Sequence, residues 1–132
     1  MSKWSKFFRT AGVAAIFFAA SSAVTPAYAS SAAVLRGLDK VTGHARDFTA
    51  PIGRTVKFGT LEITVRSCQK SAPEETPEVA VYVEIVDHPI PRTKDDQPPE
   101  KPLLSGWIFG SNPARNALEH PTYDVWAINC KA

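Results

Sequence analysis

The sequence predicts a small all-β domain, a β-sandwich or barrel with one short helix at about 113–119 and a disulfide staple. Short alternating or β-branched runs recur along the chain, with turn-forming residues between them at intervals of about 8–12 residues. The run 79–87 (VAVYVEIVD) is apolar on both faces, which is typical of a central strand. Two cysteines far apart in sequence, Cys68 and Cys130, provide the staple.

The first 29 residues have the three parts of a secretory signal peptide. Lys3, Lys6 and Arg9 make a basic start, an uncharged apolar run follows, and the small-x-small motif AYA (27–29) ends the segment. The alternative is a membrane anchor, but the apolar run falls short of the roughly 20 residues that a spanning helix needs. We therefore predict a signal peptide over 1–29, cleavage, and location in the periplasm without a stable membrane anchor.

The mature part, residues 30–132, has the size of one domain and carries almost no net charge. Three of the 15 basic residues lie in the predicted signal, which leaves 12 against 13 acidic residues and a net charge near −1. A general nucleic-acid binder needs a basic surface to neutralise phosphates. The composition therefore gives no support for nucleic acid as a partner.

The two cysteines of an exported chain predict a disulfide, with two separate buried thiols as the alternative. The bond closes a loop of about 62 residues and contributes about 4 kcal/mol in the loop-entropy model. In an uninterrupted strand, however, Cys68 lies on the polar face with Glu62, Thr64 and Arg66. Only a β-bulge turns it to the other side, and the sequence leaves that open.

Further strands follow from alternation and from turn residues. Segment 33–41 contains Gly37, which weakens a strand interior, and we expect a strand added at a sheet edge. Segments 54–58 and 61–65 alternate on either side of a Gly-Thr pair, which predicts a β-hairpin. The remaining predicted strands are 46–50, 103–109 and 123–130.

Three segments are predicted to lie outside the strands. Residues 69–78 form an acidic loop exposed to solvent, and residues 88–102, with five prolines and balanced charges, form an extended loop. A variable loop is favoured there over a ligand for another protein. An Asn-Pro pair gives the start signal of the helix at 113–119, which must end before Pro121.

Five segments together resemble one bacterial family: VLRGLDKVTG (34–43), DFTAPIG (47–53), FGTLEITVRSC (58–68), PEETPE (73–78) and SGWIFGSNPARNALEHPTYDVWAINCK (105–131). On these segments the chain is identified as a member of the domain-of-unknown-function family 2155, small exported proteins of Gram-negative bacteria. The resemblance implies a periplasmic setting and one domain across almost the whole mature chain. It implies no activity, and so no catalytic residue is carried over.

No motif for a cofactor or a metal is present. The three histidines have no ligand spacing, and neither His-Glu-x-x-His nor Cys-x-x-Cys occurs. Ser105 lacks the Gly-x-Ser-x-Gly motif of hydrolases, and no glycine-rich phosphate loop is found. We predict no cofactor, no metal and no catalytic residues, and we lean against an enzyme.

The polar segment 119–124 allows two interpretations. Glu119, His120 and Asp124 can supply a general acid and base, as in a small envelope hydrolase using His120 with Glu119 or Asp124. We favour the structural interpretation, in which His120 bonds to backbone carbonyls and Asp124 caps a turn. Geometry decides between them, and the sequence does not contain it.

The tryptophans also allow two interpretations. Trp107 and Trp126 can form an exposed platform for a sugar or a peptide, or can belong to the core, which is favoured for strand tryptophans. If a binding surface exists in this region, its candidate residues are Trp107, His120, Tyr123 and Asp124.

The leading functional hypothesis is a non-enzymatic periplasmic module for protein binding or assembly, whose partner is another envelope protein. The export signal, the stapled β-domain and the lack of a catalytic motif favour it. Besides the hydrolase, a third hypothesis is a β-barrel that binds a small ligand in an apolar cavity lined by Val81, Val83 and Trp126.

Overall fold

Seven strands form two sheets in the computed structural model, which describes residues 30–95 and 101–132. The predicted signal peptide at 1–29 and part of the proline-rich loop lie outside the described residues. No helix in the described part of the chain is long and apolar enough to cross a membrane. The strands are β1 (Ala32–Asp39), β2 (Ala45–Pro51), β3 (Thr55–Phe58), β4 (Leu61–Lys70), β5 (Val79–Asp87), β6 (Leu104–Phe109) and β7 (Tyr123–Lys131).

The two sheets are antiparallel and pack face to face. One has the order β2-β1-β7 and the other the order β3-β4-β5-β6. Their facing sides supply the core, because alternate residues of each strand point to the same side of a sheet. The all-β prediction is confirmed as a sandwich. The largest fully buried side chains are Leu35, Leu61, Ile63, Val65, Val81, Val83 and Ile85.

The predicted hairpin and the predicted central strand are both confirmed. Strands β3 and β4 pair antiparallel, and Phe58 lies opposite Leu61 across a two-residue turn. Gly59 begins this turn with a φ of 58°, which glycine adopts more readily than other residues. Strand β5 lies between β4 and β6, and its three inward residues from Val81 to Ile85 have no exposed surface.

Strand β1 is the middle strand of its sheet, so its prediction as an edge strand is wrong. The prediction rested on Gly37, because a glycine usually weakens the interior of a strand. A Cβ atom at this position would lie 2.5 Å from the ring of Phe58. The missing side chain therefore makes room for an aromatic ring from the other sheet, a close approach that only glycine allows.

The predicted helix at 113–119 is also wrong. The chain makes a turn in which the Arg115 N–H donates to the Asn112 carbonyl over 3.0 Å. Asn116 then has a φ of 58°, a left-handed conformation that ends any right-handed helix. Its side-chain amide donates to the Trp107 carbonyl over 2.8 Å, and Leu118, only 4% exposed, enters the core. These tertiary contacts outweigh the small helical preference of seven residues.

A β-bulge precedes each cysteine and turns it inward. In β4 the pairing with β5 skips Arg66, and in β7 the pairing with β1 skips Ile128. Each extra residue reverses the side to which the following residues point. Cys68 and Cys130 therefore meet between the sheets, with their sulfur atoms 2.02 Å apart. The predicted disulfide is confirmed, and it joins one sheet to the other.

Glu78, at the end of the acidic loop, is not the freely solvated carboxylate that the sequence predicts. One of its carboxylate oxygens accepts the N–H groups of Val79, at 2.9 Å, and Ser111, at 3.2 Å. The other accepts the Ser111 hydroxyl. These bonds, first the one from the Ser111 hydroxyl, hold the pKa of Glu78 below its ordinary value of 4.5.

The bonds of Glu78 predict a stability that depends on pH. Because its pKa is lower in the folded chain, its contribution is complete above about pH 4.5 and is lost as the pH falls through the folded value. Denaturant unfolding between about pH 3 and 6 measures this contribution. The wild type should have a higher free energy of unfolding than Glu78→Gln at about pH 6, and the two values should converge as the pH falls. Glu75→Gln, in the same loop, is the control and should parallel the wild type. A constant gap between wild type and Glu78→Gln would contradict this account.

Candidate functional site

Three aromatic side chains lie together on the outer side of the four-stranded sheet. They point outward because their neighbours Val81, Val83 and Ile108 point into the core. Tyr82 and Trp107 are directly opposite in the β5–β6 pair, with ring centroids 5.5 Å apart and an angle of 85°. We call this surface the aromatic face and define it by Tyr82, Trp107, Phe109 and Arg115.

Arg115 adds a positive charge to the aromatic face. Its guanidinium carbon lies 4.7 Å from the centre of the Phe109 ring, within the range of a cation–π contact. No carboxylate among residues 30–95 and 101–132 pairs with it. The Tyr82 hydroxyl lies 3.3 Å from the Ser105 hydroxyl, so the face also has polar groups at its border. The three aromatic side chains are half-buried, and Arg115 is exposed.

Trp107 and Trp126 do not form one platform, and neither is a core residue, although the sequence favours the core for both. Trp126 lies on the outer side of the three-stranded sheet, because Val125 and Ala127 take the inward positions on β7. The two tryptophans are therefore on opposite outer surfaces of the sandwich. Trp126 lines a groove of about 420 Å³ beside Leu118.

The residues predicted to line the cavity of a ligand-binding barrel lie in different surroundings. Val81 and Val83 are fully buried between the sheets. Trp126 borders the open groove on the other sheet instead.

His120 is the centre of a partly buried polar cluster. Its Nδ1 accepts the backbone N–H groups of Thr122, at 3.0 Å, and Tyr123, at 3.1 Å. Because Nδ1 accepts, Nε2 carries the proton and donates to an Asp87 carboxylate oxygen 3.1 Å away. The second oxygen of Asp87 accepts the Thr60 hydroxyl. The side chain of His120 is only 8% exposed, so this cluster joins three segments inside the molecule.

The partners of His120 differ from both interpretations of the sequence. Its ring accepts backbone N–H groups, whereas the structural interpretation expected bonds to backbone carbonyls. Glu119 is exposed, and Asp124 pairs with Lys40 at 3.3 Å instead of capping a turn. Asp87 was missed because it lies 33 residues away in sequence. The signal for it is the antiparallel pairing of β4 and β5, which brings the hairpin turn to the end of β5.

The four candidate surface residues do not form one surface. Trp107 belongs to the aromatic face, and Asp124 lies on the outer side of the opposite sheet. His120 is partly buried, and Tyr123 stacks on it with ring centroids 5.2 Å apart. Within the described residues, no three His, Cys, Asp or Glu side chains converge as metal ligands.

Fold and surface define a class: a small β-sandwich with a disulfide between its sheets and an aromatic outer face. The chain belongs to the bacterial family described as "Uncharacterized protein conserved in bacteria (DUF2155)", which matches residues 33–130. The match runs from the first strand to the second cysteine. It confirms the family resemblance that the sequence segments indicated.

One relative is "Uncharacterized protein RP359" of Rickettsia prowazekii (strain Madrid E). It is 25% identical over 93 residues, which are 70% of this chain and 56% of the relative. The chain therefore spans little more than half the length of that relative. No solved structure matches the chain significantly.

Proposed function

We propose that this protein is a non-enzymatic periplasmic module that binds another protein of the bacterial envelope through its aromatic face. The observation that carries the proposal is the side-chain chemistry of this face. Tyrosine, tryptophan, phenylalanine and arginine are the residues enriched at protein interfaces, and tryptophan, tyrosine and arginine dominate their energetic centres. Here Trp107 and Tyr82 lie side by side, and Phe109 on the same strand as Trp107 contacts an arginine that no described carboxylate neutralises.

The geometry of the face favours binding because little has to be ordered. The rings pack edge to face on two adjacent strands of a sheet, and that sheet is tied to the other by the disulfide. A surface that is already in place loses less conformational entropy when a partner arrives. The partner we expect presents apolar side chains with a carboxylate opposite Arg115. The predicted signal peptide and the disulfide both suit an oxidising compartment.

The outer side of the other sheet provides a comparison. There Arg36 donates two bonds to Asp47, at 2.5 and 2.9 Å, and Trp126 is the residue opposite Arg36 on β7. These bonds raise the pKa of Arg36 and lower the pKa of Asp47. Arg36 and Asp47 are thus paired within the chain, and Asp124 on the same side pairs with Lys40. This side therefore has fewer unpaired polar groups for a partner to bind than the aromatic face.

Affinity purification from envelope extracts tests the proposal, with quantification of co-purified proteins by mass spectrometry. With Trp107→Ser or Arg115→Gln, the amount of a specific co-purified envelope partner is expected to fall at least about tenfold. A tryptophan at the centre of an interface contributes about 2 kcal/mol or more. Trp126→Ser is the matched control on the opposite side and should retain it. Equal retention by all variants, or no specific partner of the wild type, would contradict the proposal.

A further inference from the structure

A second site lies away from the aromatic face, at the end of the sandwich where the β1–β2 turn meets the β3–β4 turn. The two turns and the start of β7 line an open cleft of about 300 Å³. It combines charged, hydrogen-bonding and aromatic groups from distant parts of the sequence. The residues that matter in its lining are Asp39, His44, Arg46, Phe58, Gly59 and Tyr123.

Arg46 is the cation of this cleft, and it contacts aromatic rings instead of a carboxylate. Its guanidinium carbon lies 5.1 Å from the centre of the Phe58 ring and 6.0 Å from that of Phe48. Arg36 and Arg66 each bind a carboxylate, but none of the described residues gives Arg46 an acidic partner. A guanidinium stacked on aromatic rings keeps its planar set of donors directed at the edge of the plane. Its donors are therefore available for a ligand.

The aromatic floor beneath Arg46 is fixed by two glycines. The ring of Phe58 occupies the space that a side chain at position 37 would fill. The Tyr123 ring passes so close to Gly59 that a Cβ atom there would lie 2.3 Å from it. Tyr123 also packs edge-on against Phe58, with ring centroids 5.6 Å apart. The apolar part of the cleft is thus formed before any ligand binds.

Two further donors and one acceptor border the cleft. The His44 ring and the Tyr123 hydroxyl line it, and neither has a hydrogen-bond partner in the described part of the chain. Asp39 is the one carboxylate. Its Oδ1 accepts the N–H groups of Val41, at 2.8 Å, and Thr42, at 3.2 Å, which leaves Oδ2 able to accept a donor from a ligand.

We propose that this cleft binds the carboxylate of an N-acylated α-amino acid that has an apolar side chain. Arg46 receives the carboxylate through two parallel N–H donors, the arrangement that a planar guanidinium favours. His44 and the Tyr123 hydroxyl add donors, and the apolar side chain rests against the partly exposed ring of Tyr123, because Phe58 is only 4% exposed. The carboxyl of Asp39 accepts the amide N–H next to the ligand's α-carbon. The same group occurs in free N-acyl amino acids and at the C-terminus of a peptide.

Titration of the isotope-labelled, oxidised protein, followed by NMR, tests the site with N-acetyl-leucine as the probe. Saturable shifts of the amides of His44, Arg46 and Gly59 are expected, with a Kd in the range of about 1 mM that suits a ligand of this size. N-acetyl-leucinamide, which lacks the charge, should not bind. Arg46→Gln should weaken binding at least tenfold, whereas Arg36→Gln, which removes a paired arginine, should bind like the wild type.

Further arms of the experiment separate the possible sources and guard against misfolding. Tighter binding of N-acetyl-Ala-Ala-Leu than of N-acetyl-leucine identifies a peptide C-terminus, and equal binding identifies a free acid. Arg46→Lys keeps the charge and should bind more weakly than the wild type. Trp107→Ser should bind like the wild type, which keeps this site distinct from the aromatic face. No saturable shift, equal binding by Arg46→Gln, or binding of inorganic phosphate alone would overturn the proposal.

Discussion

Replacement of Cys68 and Cys130 by alanine is expected to lower the free energy of unfolding by about 4 kcal/mol. The bond joins residues 62 positions apart, and without it the unfolded chain gains the entropy of an open loop. The loss is a large share of the roughly 5–15 kcal/mol that stabilises a domain of this kind. It also removes the covalent link between the two sheets. Denaturant unfolding of wild type and variant under oxidising conditions measures it.

The single variants are the control for this prediction. Cys68→Ala and Cys130→Ala should each cost about as much as the double variant, because either one removes the whole bond. Reduction of the wild type should bring it close to the same stability while both sulfur atoms remain. A loss below about 1 kcal/mol in the double variant would contradict a stapling role for this disulfide.

His120→Ala is expected to cost about 3 kcal/mol of stability, the second large effect. The substitution removes the partner of the Thr122 and Tyr123 N–H groups and one partner of the Asp87 carboxylate, all in a partly buried place. Each buried polar group that loses its bond costs about 1–3 kcal/mol, less whatever water restores. Thermal and denaturant unfolding at neutral pH measure the loss.

His88 provides the matched control for His120. Both rings bind a carboxylate through Nε2 at 3.1 Å, but the His88 side chain is 45% exposed and the His120 side chain 8%. His88→Ala should therefore change stability by no more than about 0.5 kcal/mol. Equal losses for the two variants would contradict the structural role of His120.

A comparison of His120→Ala with Leu118→Ala bears on the hydrolase hypothesis. Leu118→Ala removes a buried side chain that cannot transfer a proton, and it costs about 2–5 kcal/mol. A cellular defect that His120→Ala shares with Leu118→Ala reports lost stability. A defect in His120→Ala beyond that of the equally destabilised Leu118→Ala would speak for a chemical role of the imidazole.

Features that depend on neighbouring residues could be predicted from the sequence. The β3–β4 hairpin follows from alternation around Gly59, and the position of β5 follows from its two apolar faces. Features that depend on distant residues could not. Gly37 looks like a weak point in a strand until Phe58 of the other sheet is placed against it. The turn at Asn116 depends on the backbone carbonyl of Trp107, which accepts a hydrogen bond from the Asn116 side-chain amide.

The candidate sites were missed for the same reason. Tyr82 and Trp107 belong to different predicted strands, and only the β5–β6 register places them side by side. The bulges at Arg66 and Ile128 have no sequence marker, although they decide that both cysteines point inward. Asp87 becomes the partner of His120 only in the folded chain. Alternation separates Trp126 from Val125 and Ala127, but only the packing of β7 shows that Trp126 takes the outward side.

Site-specific photo-crosslinking in intact cells tests the central claim most directly. A photoreactive amino acid at position 109 samples the aromatic face, and one at position 49 samples the outer side of the other sheet. We predict a discrete adduct with one envelope protein from position 109 and none from position 49. The same adducts from both positions, or none from position 109 in a folded and exported variant, would contradict a binding role for the aromatic face.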